Sequence, residues 1–64
     1  MVKINGEMIQ ADGKSVPEIL ADMGYSEKRV AVEINEQIVP KAKYNETFLK
    51  DGDSVEVVQF VGGG

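Results

Sequence analysis

A chain of 64 residues with 42% hydrophobic content and no cysteine or histidine reads as one small domain, too short to divide into two cores. That inventory excludes disulfide staples, thiol nucleophiles, Cys/His zinc sites and histidine general bases. With 11 acidic residues against 7 basic ones and a net charge of −4, the chain lacks the lysine and arginine clusters that nucleic acid demands and suits a protein partner with a basic or mixed face.

No apolar run reaches the ~20 residues of a bilayer span and no signal peptide opens the chain, so a soluble, cytoplasmic domain is expected. The first segment, MVKINGEMIQA (Met1 to Ala11), has turn residues at its middle and predicts a β-hairpin. A turn centred on Asn5-Gly6 would set Ile4 opposite Glu7, an apolar residue against a charge. A turn centred on Gly6-Glu7 sets Ile4 opposite Ile9, Val2 opposite Ala11 and Lys3 opposite Gln10. The second register sorts inside from outside and places glycine first in a type II′ turn, so it is the expected one.

SVPEILADMG (Ser15 to Gly24) predicts a helix with both ends marked. Ser15 and Glu18 form a capping box, Pro17 sits in the first turn, and Gly24 is a left-handed stop. Val16, Ile19, Leu20 and Met23 fall on one face. RVAVEIN then alternates Val30, Val32 and Ile34 against Ala31 and Glu33, as a half-buried strand does. NEQIVP predicts a tight turn and a short strand ended by Pro40. Tyr44 to Leu49 predicts a short helical or irregular turn with Phe48 and Leu49 as core plugs. DGD (Asp51 to Asp53) is a turn, Asp12 and Gly13 are loop, and Tyr25 and Tyr44 are packing residues.

SVEVVQFV forms the last strand. Its phase sends Val55, Val57, Gln59 and Val61 inward and leaves Val58 and Phe60 beside Glu56 on the solvent face. A bulge would instead turn Phe60 into the core; without one, Val58 and Phe60 form an apolar patch for a partner. One helix covers one face of a mixed four- to five-stranded sheet, with the first and last strands adjacent at its centre. That is an α+β, β-grasp architecture over residues 1–61, followed by a flexible glycine tail at 62–64.

The chain ends Gly62-Gly63-Gly64. Glycine has no Cβ to clash in a narrow site, and four residues from Val61 reach roughly 13 Å. Such a tail can deliver a terminal carboxylate into another protein's cleft, where adenylation would make it an acyl electrophile. A frayed, inert end is the competing interpretation.

INEQIVPK (Ile34 to Lys41), DGDSVEVVQFVGGG (Asp51 to Gly64) and the overall length resemble the ThiS family, sulfur carriers of thiamine thiazole biosynthesis. The resemblance covers nearly the whole chain. Where arginine is common after the proline, this chain has Lys41, which keeps the charge without the bidentate fork; Gly62 lengthens the usual Gly-Gly end by one. The resemblance implies a ubiquitin-like β-grasp fold and a carrier, not an enzyme. Gly64 would be adenylated with ATP by a ThiF-type, E1-like adenylyltransferase. Sulfur from a cysteine desulfurase persulfide would then displace AMP, leaving a thiocarboxylate that thiazole synthase (ThiG) consumes. Gly63 and Gly64 match the family's reacting end, and Gly62 and Val61 would follow them into the partner. Val58 and Phe60 are docking candidates from strand phase alone. The chain itself is expected to bind no cofactor or metal and to hold no catalytic residue.

Related carriers serve molybdopterin synthesis and tRNA thiolation, other ubiquitin-like chains modify proteins, and a plain interaction module would tolerate loss of the last two glycines. Catalysis by Asp51 and Asp53 is the least favoured interpretation.

Overall fold

The first hairpin turns at Asn5-Gly6, and the reason lies at the far end of the chain. Both residues have positive φ, 49° and 86°, the type I′ geometry that asparagine and glycine tolerate. The Asn5 side chain pairs with the backbone of Val57: its Oδ1 accepts from the Val57 N–H at 2.8 Å and its Nδ2 donates to the Val57 carbonyl at 3.4 Å. The expected Gly6-Glu7 register is therefore wrong. Val2 faces Ile9, Lys3 faces Met8 and Ile4 faces Glu7. Setting Ile4 against Glu7 is tolerable because the second strand is at the sheet edge, where Glu7 is exposed to water.

The structure, a computed structural model, describes residues 1–60. Val61, Gly62, Gly63 and Gly64, and with them the expected boundary between domain and tail, lie outside the described residues. The strands are β1 (Val2–Ile4), β2 (Glu7–Ile9), β3 (Val30–Ile34), β4 (Gln37–Ile38) and β5 (Ser54–Gln59), with one α-helix, α1 (Val16–Met23), and 3-10 segments at Glu27–Arg29 and Lys41–Glu46. The sheet order is β2-β1-β5-β3-β4. β1 and β5 run parallel and the other pairs antiparallel. The first and last strands are neighbours and β5 is central, the predicted β-grasp arrangement.

α1 forms as its sequence dictates. The Ser15 Oγ accepts from the Glu18 N–H and the Glu18 carboxylate accepts from the Ser15 N–H, closing the capping box. Gly24 ends the helix at φ 81°. Val16, Ile19 and Leu20 pack against Val2, Ile4, Val30, Val32, Val55 and Val57 in one core.

That core takes Leu49 but not Phe48, which is 56% exposed; expecting both as plugs was wrong. Phe48 forms an isolated antiparallel bridge with Ser15, and the Leu49 N–H donates to the Lys14 carbonyl at 2.8 Å. Neighbours along so extended a stretch point to opposite sides, so one enters the core and the other leaves it. Tyr44, almost fully buried, fills the space instead, and burial pushes its phenol pKa up.

Candidate functional site

β5 is the most tightly held strand. It bonds to β1 on one side and to five successive β3 positions on the other, from Ile34↔Val55 to Val30↔Gln59. Each hairpin adds an asparagine clamp. Asn5 grips Val57, and Asn35 accepts from the Ser54 N–H at 3.0 Å while donating to Asp53 Oδ1 at 3.0 Å. Asn35 and Glu36 carry positive φ, 52° and 68°, so the predicted tight turn before β4 has the same type I′ geometry as the first. The Phe60 N–H still bonds to the Arg29 carbonyl at 2.7 Å. Register is continuous up to that point, and no bulge intervenes.

Val58 and Phe60 consequently stand on the sheet face opposite α1, 54% and 52% exposed. This is the placement their strand phase predicts. Register adds what the linear sequence did not reveal. Ala31 lies opposite Val58, and Ile38 lies opposite Glu33 on the same face, 72% exposed. The Lys41 Nζ sits 6.0 Å from the centre of the Phe60 ring, the outer limit of a cation–π contact. Ile38 carried a signal in its position within a short edge strand, but only pairing assigns its face.

The other polar candidates have structural work. Asp53 is buried, accepting from the Lys50 N–H at 2.9 Å and from Asn35. Asp51 and Asp12 pair with the Met1 amine; Asp51 holds that amine's pKa up, with help from Asp12, and is itself held below the ordinary carboxylate range by it. Lys14 bonds to Asp22 at 2.7 Å, and the bond raises its pKa. Among the described residues no cluster of three or more potential metal ligands occurs, and no helix is long and apolar enough to cross a membrane. What the arrangement offers is a rigid strand whose outer face is apolar where its backbone pairing ends. The sequence candidates Gly62, Gly63 and Gly64, with Val61, lie outside the described residues.

A model of the ThiS family matches residues 2–64. The chain is 42% identical over 64 residues to the sulfur carrier protein ThiS of Thermus thermophilus, covering all of both. It is also 42% identical over 62 residues to a thiazole synthase of Paramagnetospirillum magneticum, covering 95% of this chain but spanning only 19% of that protein's length. Among solved structures, the thiamine biosynthesis protein ThiS of Geobacter metallireducens superimposes with a TM-score of 0.78 at 31% identity, covering 98% of this chain and 97% of that one.

Proposed function

The chain belongs to the ThiS family of sulfur carrier proteins, and from that premise we propose that it carries sulfur for thiamine thiazole synthesis as a thiocarboxylate on Gly64. A carboxylate becomes reactive toward sulfur once its oxygen is a good leaving group. Attack of the Gly64 carboxylate on the α-phosphate of ATP, in an E1-like, ThiF-type adenylyltransferase, releases pyrophosphate and gives the acyl adenylate. A persulfide sulfur supplied from cysteine by a desulfurase displaces AMP. Cleavage of the resulting acyl disulfide by a thiol leaves the thiocarboxylate for thiazole synthase.

The observation that carries this proposal is the junction at Phe60. A strand clamped from both sides ends in an exposed apolar patch, and the sequence continues directly into Val61 and three glycines. The body serves as the handle. Gly62 and Gly63 offer a partner's channel only backbone, and Gly64 offers an unshielded carbonyl. The partnership with thiazole synthase draws support from the protein of that name in which a segment similar to this chain occupies 19% of the length. All of these partners are cytoplasmic in this scheme.

Intact-protein mass spectrometry tests the proposal. Incubation with ATP, the adenylyltransferase and a persulfide source should add the mass of one oxygen-to-sulfur exchange, and fragmentation should place it at Gly64. An unchanged mass, with the same partners active on another carrier, would refute the proposal.

A further inference from the structure

On the face that carries Val58 and Phe60, Glu33 and Glu56 stand directly opposite one another in the β3–β5 ladder. The bonds from the Asn35 N–H to the Ser54 carbonyl and from the Phe60 N–H to the Arg29 carbonyl, both 2.7 Å, fix the ladder's alternation. Glu33 and Glu56 are therefore a hydrogen-bonded pair with Cα atoms about 5.5 Å apart. Like charges so placed destabilise a sheet. Among the described residues neither carboxylate has a lysine or arginine nitrogen within 4.0 Å, the four ion pairs all lying elsewhere. The surroundings are apolar on two sides: Ile38 beside Glu33 in β4, and Ala31 opposite Val58 as the next pair along the same face, with Phe60 beyond.

We propose that the Glu33–Glu56 pair is a socket for a guanidinium on the protein that activates Gly64, with Ile38, Val58 and Phe60 making apolar contact around it. The inference rests on the sulfur-carrier function proposed above. Four residues beyond Phe60 span at most ~14 Å, so a catalytic centre that receives Gly64 must bring its surrounding surface up to this end of the sheet. A net charge of −4 complements a cationic docking surface. Arginine suits the site better than lysine because its planar fork can engage two carboxylates at once. Apolar contact around the pair would exclude water and strengthen the interaction above that of a rim salt bridge.

The test uses the full chain with Glu33→Gln, Glu56→Gln and both together, following pyrophosphate release by the adenylyltransferase against carrier concentration and salt. The double variant should raise KM about tenfold or more and flatten its salt dependence, with kcat unchanged because the reacting terminus is untouched. Its melting temperature should equal or exceed that of the parent, since the substitutions remove a repulsion. The more exposed Glu56→Gln alone should shift KM in the same direction and guards against a fold defect at half-buried Glu33. An unchanged KM and salt slope in the double variant, with the parent activated normally, overturns the socket while leaving the carrier function standing. A parent that the adenylyltransferase does not activate, while it activates another carrier, overturns both.

Discussion

Phe60→Ala separates the proposed docking face from both the fold and the chemistry. The Phe60 residue is 52% exposed, so of the roughly 200 Å² that a phenylalanine can bury, about 100 Å² remains open for a partner to cover. At ~25 cal/mol per Å² that area is worth up to ~2.5 kcal/mol on docking, which corresponds to an increase in KM of up to about 70-fold. The covered half lies outside the core cluster, so its loss should cost the free protein only ~1 kcal/mol, a fall in melting temperature of about 4–8 °C in a domain this small. The assay is pyrophosphate release against carrier concentration, paired with thermal unfolding followed by circular dichroism. Val58→Ala, at a residue 54% exposed on the same face, should move KM the same way by a smaller factor. An unchanged KM in a folded Phe60→Ala protein would refute the docking role. A loss confined to kcat would instead implicate Phe60 in presenting the terminus.

Two further outcomes test the scaffold. Asp53→Ala leaves the Lys50 N–H and the Asn35 side-chain amide without their buried acceptor; hydrogen bonds to a charged group are worth about 1.5–3 kcal/mol each, so the urea midpoint should fall by the equivalent of ~3 kcal/mol with the m-value unchanged, and a loss below ~1 kcal/mol would contradict this account. Glu18 accepts from the Ser15 N–H and hydroxyl, which hold its carboxyl below the ordinary 4.5. Its contribution to stability is therefore complete above pH 4.5 and disappears as the pH falls through the lower, folded-state pKa. Melting curves across that acid range should show the decline in the parent and lose that component in Glu18→Gln.

The features legible in the sequence were those whose causes lie close together along the chain. The capping box, the apolar stripe and the terminal glycine of α1 fall within the ten residues Ser15 to Gly24, and the helix runs Val16–Met23 as they predict. The outward placement of Val58 and Phe60 followed from alternation inside one strand. The hairpin register did not, because Asn5 is held in the turn by Val57, 52 positions away, and apolar matching between neighbouring strands cannot register such a clamp. Phe48 was misplaced for a related reason. Its bridge to Ser15 makes the segment extended, and extended backbone cannot send two adjacent side chains into the same core. Ile38, Glu33 and Glu56 joined the proposed docking face only through pairing, which assigns a face but is absent from composition and spacing.

The same pairing shows why an unfavourable arrangement on the outer face is compatible with function. Under the proposed function the carrier serves an adenylyltransferase and then a thiazole synthase and has to leave each, so its docking surface should release as well as bind. Val58, Phe60 and Ile38 give that surface three exposed apolar groups, fewer than a permanent interface would bury. In the proposed socket, like charges directly opposite in the ladder disfavour the unbound carrier, and a guanidinium between them would relieve that cost. Part of the binding free energy then comes from removing a local strain rather than from adding buried area. Such an interface depends on ionic strength and tightens without a large apolar patch, which would otherwise leave a small acidic domain prone to self-association. The strand beneath it is held by β1, β3, Asn5 and Asn35 together, so the geometry of the proposed socket and the position of Phe60 are set by the same element.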